Sequence, residues 1–209
     1  MFAFFAGLAA GLLHVFSGPD HLAAVAPLAV NAQQPALSEM STREAHRRRV
    51  EGWRTGLQWG VGHTAGVLLI ASLLLLVREQ LPIEAISAYS ERLVGVALIL
   101  VGGWGVWKAS RSGFTPHSHS GASFGMGALH GLAGSSHLFG VLPALAFATR
   151  IEAALYLGGF GAGAIVGMTA FSTVMGLLSS RLSQRHSSGL LYASSAAALV
   201  VGGFWLVGR

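Results

Sequence analysis

Gly11-Leu-Leu-His-Val-Phe-Ser-Gly-Pro-Asp-His-Leu-Ala-Ala-Val-Ala-Pro27 lies without a gap over Gly127-Ala-Leu-His-Gly-Leu-Ala-Gly-Ser-Ser-His-Leu-Phe-Gly-Val-Leu-Pro143 when the chain is slid by 116 positions. The identities are Gly11/Gly127, Leu13/Leu129, His14/His130, Gly18/Gly134, His21/His137, Leu22/Leu138, Val25/Val141 and Pro27/Pro143. Chance matches of small residues are common in apolar sequence, but two histidines and a proline in register are not. Later segments align at shorter offsets. Gly60-Val-Gly62 with Gly66 matches Gly161-Ala-Gly163 with Gly167, and Leu100-Val-Gly-Gly-Trp104 matches Val200-Val-Gly-Gly-Phe204. The chain therefore carries an internal repeat.

Composition says where such a repeat sits. Of 209 residues, 53% are hydrophobic and 10% are charged, against about 25% charged in a soluble domain. That is too few charges to cover a water-facing surface. The mean hydropathy of +0.61 and the 29 glycines agree, since glycine is frequent in transmembrane helices. Crossing the hydrocarbon takes about 20 apolar residues, and six segments come close: roughly 2–30, 53–77, 86–107, 124–148, 153–178 and 188–207.

Each copy of the repeat holds three spans, an odd number, so the second copy enters the membrane upside down. The predicted fold is an all-α integral membrane protein of six transmembrane helices, built as two inverted-topology three-helix repeats with the first and fourth helices broken. Residues 1–110 form the first repeat, 111–123 a His-containing connecting loop and 124–209 the second repeat. Inverted repeats of this kind are characteristic of many secondary transporters, whose sites lie near the midplane on discontinuous helices. A duplicated helical scaffold without transport is the competing interpretation.

Arg43, Arg47, Arg48, Arg49, Arg54, Lys108, Arg111, Arg181 and Arg185 fall on one side of this topology, and Arg78, Arg92, Arg150 and Arg209 on the other. The positive-inside rule then puts the first group in the cytoplasm and both termini outside. The pI near 10.7 comes from arginines scattered between apolar runs, a topological pattern and not a nucleic-acid face. The first residues lack the basic stretch of a secretory signal, so the first apolar run is expected to stay in the mature protein. Small-xxx-small pairs such as Gly7/Gly11, Gly56/Gly60, Gly62/Gly66 and Gly163/Gly167 predict close helix contacts.

Ionisable groups at membrane depth are costly and mark function by default. Asp20 is the only aspartate in the chain, and His14, His21, His63, His130 and His137 also fall in apolar surroundings. With no cysteine, disulfides, iron–sulfur clusters and thiolate zinc sites are excluded. Imidazole with carboxylate suits nickel, cobalt or zinc. On an unbroken helix His14 and His21 would stand about 10.5 Å apart along the axis, too far to share an ion. Pro19 breaks the helix between them, which can fold His14, Asp20 and His21 toward one point and free backbone carbonyls. His117 and His119 lie in the connecting loop, where they either handle metal or are simply solvated. Ser17, Ser135, Ser136 and Thr64 are expected to satisfy opened backbone.

His14-Val-Phe-Ser-Gly-Pro-Asp-His21 resembles the signature of nickel/cobalt permeases, with the spacing of the HupE/UreJ type. Gly60-Val-Gly-His-Thr-Ala-Gly66 is similar to the second signature of the NiCoT and NicO families. The strict NiCoT pattern has one residue fewer between the histidines and a second acidic residue, replaced here within Ser17-Gly18-Pro19. The resemblance implies metal-ligand roles for His14, Asp20 and His21, with His63 as a further candidate.

The expected function is alternating-access transport of a divalent transition metal, Ni2+ or Co2+ first and Zn2+ next, across a bacterial inner membrane. No permanently bound cofactor and no enzymatic activity are expected. The expected partners are membrane lipid, the metal ion and a second copy in a homo-oligomer, with no nucleic acid. His63, His130 and His137 complete the shell or pass the ion on. Because ligand imidazoles must be neutral, metal binding measured by titration is expected to weaken as pH falls through about 6.5. The alternatives are a haem-binding protein and a metal-sensing accessory protein without flux.

Overall fold

Pro19 dictates the first structural event. Its ring disfavours helical geometry at the preceding residue, and Gly18 is accordingly extended at φ −89° and ψ 100°. Helix α1 (Phe2–Ser17) therefore ends there. Helix α2 (Pro19–Gln33) restarts at once, with proline in the first helical position, where a missing N–H is no loss. Gly18 serves both ends: its N–H donates to the His14 carbonyl at 3.1 Å, and its own carbonyl accepts the His21 N–H at 3.2 Å. The two helices meet at a bend of 73°.

The computed structural model describes residues 1–33, 52–76, 83–110, 120–132, 140–181 and 184–207. The remaining elements are α3 (Gly52–Leu76), α4 (Ile83–Ser110), α5 (Ser120–Leu132), a 3-10 turn (Leu142–Ala146), α6 (Arg150–Arg181) and α7 (Gln184–Val207). The described residues are helical, with no strand among them. Four of the expected spans are single helices. Of the fourth, the structure describes α5 to Leu132 and the 3-10 turn Leu142–Ala146, which has Pro143 in its first turn, and residues 133–139 lie outside the described residues. Gly134 to His137 and the loop with His117 and His119 lie outside the described residues.

Among the described residues, length and hydropathy single out two candidate spans. Among the described residues α6 qualifies over Arg150–Ser179, and the bent α1–α2 pair qualifies as one unit. Gly95–Ser110 and Ser188–Phe204 are apolar but shorter.

Glycines set how the helices pack. α1 runs against α6, α3 against α5 and against α6, and α4 against α7. A side chain at Gly11 would strike the Phe160 carbonyl, and one at Gly127 would strike the Trp59 carbonyl. The internal alignment pairs Gly11 with Gly127, and places Trp59 and Phe160 just before the paired Gly60 and Gly161. Gly163 likewise meets the Leu8 carbonyl as Gly62 meets that of Phe124. Gly102 approaches the Ser195 carbonyl and Gly202 the Gly95 carbonyl, each at 2.8 Å from an ideal Cβ. Each contact is thus matched by one between the aligned residues. Small residues at these crossings let the helix backbones approach closely.

α2 occupies the centre, touching α3, α4, α6 and α7. Its residues Ala23 to Pro27, Ala29 and Val30 are buried, as befits a helix apolar on every side. Ser179 Oγ donates to the Val30 carbonyl at 3.3 Å, and Thr64 Oγ1 ties α3 to α6 through the Gly161 carbonyl at 3.2 Å. The exterior is apolar: Leu100, Val174, Val200 and Phe204 are each more than 60% exposed, while Asp20, His21, His63 and His130 are buried.

Candidate metal centre

Five side chains from four helices converge. His14 stands in the last turn of α1 and His130 in the last turn of α5, ends whose macrodipoles favour cations. Asp20 and His21 open α2, where the N-terminal dipole favours a carboxylate. His63 comes from the middle of α3. The break at Gly18 turns His21 back on His14, and their Nε2 atoms lie 3.0 Å apart. His21 Nδ1 faces Asp20 Oδ1 at 2.9 Å, and His130 Nε2 faces Asp20 Oδ2 at 3.2 Å.

Two overlapping groups of donors result. His14, His21 and His63 form one, and Asp20, His21 and His130 the other, each with ligand atoms within 4.8 Å of one another. Metal–nitrogen bonds of about 2.0–2.1 Å hold neighbouring ligand atoms about 3.0–3.4 Å apart. The 3.0 Å between His14 and His21 already matches the separation around a shared ion. In that arrangement His21 Nδ1–H donates to Asp20, leaving Nε2 a lone pair. Asp20 then acts as the carboxylate of a carboxylate–histidine–metal triad, orienting the ring and raising its basicity. Its second oxygen accepts His130 Nε2–H, so one carboxylate holds two imidazoles. The carbonyls of His14 and Gly18, freed by the break, are taken up by Gly18 N–H, Ser17 Oγ and His21 N–H.

Aromatic rings wall the cluster. The Trp59 indole stacks on His63, with centroids 5.0 Å apart and planes 13° apart, and lies 5.5 Å from His21 and 5.3 Å from His130. Phe160, aligned with Trp59 by the repeat, lies 5.3 Å from His14. Trp59, His63, His21 and His130 are fully buried, whereas His14 is half-buried. Among the described residues His130 Nδ1 has no hydrogen-bond partner. Sequence reasoning found His14, Asp20, His21, His63 and His130, which meet here, and missed Trp59. The signal for it was an aromatic residue before each of the aligned glycines, Gly60 and Gly161. His137 lies outside the described residues.

Gly18 is a steric requirement of the site. A Cβ there would lie 2.5 Å from His21 Nδ1 and 3.0 Å from Asp20 Oδ1. Gly18→Ala is expected to displace the His21 ring and weaken metal binding at least tenfold in calorimetric titration. The helix boundary survives, because the φ of −89° suits alanine. Trp59 offers a direct reporter. Ni2+ or Co2+ bound beside His63 quenches a stacked indole, so titration of the purified protein is expected to reduce Trp emission saturably, and Trp59→Phe to remove most of that change.

No family model matches the chain, and no solved structure matches it. It is 34% identical over 215 residues to chloroplast protein FOR GROWTH AND FERTILITY 2 of Arabidopsis thaliana, covering 94% of this chain and 54% of the relative. It is 30% identical over 228 residues to FOR GROWTH AND FERTILITY 1 of the same plant, covering 94% and 56%. The chain spans about half the length of these two relatives. To urease accessory protein UreH of Bacillus sp. (strain TB-90) it is 27% identical over 204 residues, covering 87% and 81%. The expected bacterial inner membrane finds no support in the two plant relatives, which are named as chloroplast proteins. The sequence is thus similar to chloroplast proteins named for growth and fertility and to a protein named as a urease accessory protein.

Proposed function

We propose that the chain is a membrane carrier of a divalent transition-metal ion, with nickel or cobalt as the first candidates. The observation that carries this reading is the buried cluster of His14, Asp20, His21, His63 and His130, whose donor atoms fall in two groups, each within 4.8 Å, with the His14 and His21 Nε2 atoms 3.0 Å apart. Three features support placing it in a membrane as six helices in two inverted repeats. Large apolar side chains are exposed on the outside while Asp20, His21, His63 and His130 are buried. The helix contacts recur between aligned residues. The histidines sit at a helix break near the centre, where carriers of this architecture bind substrate.

The ion is the substrate. Imidazole nitrogens of His14, His21 and His63 replace its water, Asp20 orients His21, and Trp59 with Phe160 restricts access. Neutral imidazoles and one carboxylate suit late first-row divalent ions, with selectivity set by geometry. The relative named as a urease accessory protein fits a role in metal supply. A porphyrin has no room between histidine rings whose centroids are 4.6–5.6 Å apart, which disfavours haem.

Reconstitution into liposomes tests the reading. Saturable uptake of radioactive nickel or cobalt is expected, and its absence in protein that binds the ion would make the chain a metal-binding accessory protein. Absence of both binding and flux would remove the metal reading altogether.

A further inference from the structure

His21 belongs to both donor groups and presents a different nitrogen to each. Its Nε2 points to His14 and its Nδ1 to Asp20. Resting on the carrier reading above, we propose that the cluster offers one ion two alternative positions on opposite nitrogens of His21, and that transfer between them is a step of the transport cycle. The first position is bounded by His14, His21 and His63, and the second by Asp20, His21 and His130.

The positions are alternatives. Binding ions to both nitrogens at once would require His21 to lose its remaining ring proton and would set two dications side by side in a buried site. With the ion in the first position, His21 Nδ1–H and His130 Nε2–H both donate to Asp20. With the ion in the second, each ring carries its proton on its other nitrogen, and His21 Nε2–H donates to His14. Every imidazole keeps one proton throughout, so the transfer needs only tautomer exchange. His130 Nδ1, which has no hydrogen-bond partner among the described residues, is the nitrogen that takes the proton.

The repeat explains why there are two positions. It aligns His14 with His130, so each position is closed by one of an equivalent pair, and in an inverted repeat such a pair faces opposite membrane surfaces. Exposure agrees: His14 is half-buried and His130 is 1% exposed. In the conformation described the first position is therefore the less enclosed of the two.

The test uses the full chain in detergent, titrated with Co2+, and the same protein in liposomes with radioactive nickel. His63→Ala leaves the second position and His130→Ala leaves the first. Each variant is expected to bind one Co2+ per chain while losing at least tenfold of the flux, and the double variant is expected to bind none. X-ray absorption should show more oxygen ligation in His63→Ala than in His130→Ala. His63→Gln and His130→Gln, which keep the volume, replace any alanine variant that fails to fold. Wild-type flux in His130→Ala, two ions bound at once in the wild type, or loss of all binding in either single variant would overturn the proposal. If the wild type itself neither binds nor carries the ion, the carrier reading fails instead.

Discussion

His21→Ala is expected to abolish metal binding and flux together, the largest functional effect of any single substitution in this chain. Removing an outer-shell partner of a metal ligand costs about 10–100-fold in affinity, and His21 is more than that. Its Nε2 stands 3.0 Å from His14 and its Nδ1 2.9 Å from Asp20, so it joins both donor groups. The affinity loss is expected to exceed 100-fold in calorimetric titration, beyond the range for an outer-shell residue. Asp20→Asn is the graded comparison. An asparagine keeps the volume but turns one acceptor into a donor, facing an N–H of His21 or His130. Its loss should stay near the 10–100-fold range. Equal losses in both variants would mean that Asp20 binds the ion directly in the resting complex and not only after transfer, and unchanged affinity in His21→Ala would exclude the cluster as the site.

His21→Ala also leaves Asp20 Oδ1 buried without its partner. Leaving a buried polar atom without its hydrogen-bond partner costs about 1–3 kcal/mol, and more when the atom is charged. A lower melting temperature is therefore expected beside the binding loss. His21→Gln, which can still donate to Asp20, separates the two effects: it should recover most of the stability and little of the affinity.

Gly127→Leu is expected to have the largest effect on the fold. The glycine sits where α5 crosses α3, and a side chain there strikes the Trp59 carbonyl, with the His63 amide nitrogen 3.0 Å from the Cβ. Overpacking against side chains costs about 1–3 kcal/mol because rotamers can shift. A helix backbone has no such freedom, so α3 and α5 must separate. The expected result is loss of the monodisperse peak in size-exclusion chromatography, or a melting temperature too low for purification. Gly103→Leu and Gly158→Leu serve as controls, since nothing lies within 4 Å of a Cβ at either position. A folded Gly127→Leu variant with wild-type melting would refute this account of α3–α5 packing. Gly11→Leu, at the aligned contact with Phe160, is expected to behave as Gly127→Leu does.

The two effects are linked. Gly127 and Gly131 lie against the backbone of Trp59 and His63, so the glycines that let α5 approach α3 also bring His130 and His63 to one cluster. Metal binding and helix packing share residues of the same crossing. A milder change such as Gly131→Ala is therefore expected to lower affinity as well as stability.

What the sequence determined by itself was local or repetitive. Pro19 directly after Gly18 disfavours a continuous helix through local sterics, so the break at Gly18 and the fold-back of His21 on His14 were legible in eight residues. The internal repeat was legible because identical residues recur in register. The donor chemistry was legible because, without cysteine, histidine and a single aspartate are what the apolar segments offer. Span number was less so: among the described residues, α6 and the bent α1–α2 pair have the length and hydropathy that a crossing requires.

Only the tertiary structure decided which distant groups join that local motif. His63 and His130 are separated from His21 by long stretches of chain, and their arrival depends on backbone-to-backbone contacts at glycines, whose partners no short-range pattern specifies. Asp20 was legible as a metal-site residue, but its clamp on two imidazoles follows from where α5 places His130. Trp59 became part of the site only because α3 turns its indole onto His63. Dihedral preferences and residue chemistry act over a few residues and can be read along the chain. Shared coordination is a three-dimensional coincidence of side chains, and here the close approach of helices brings it about.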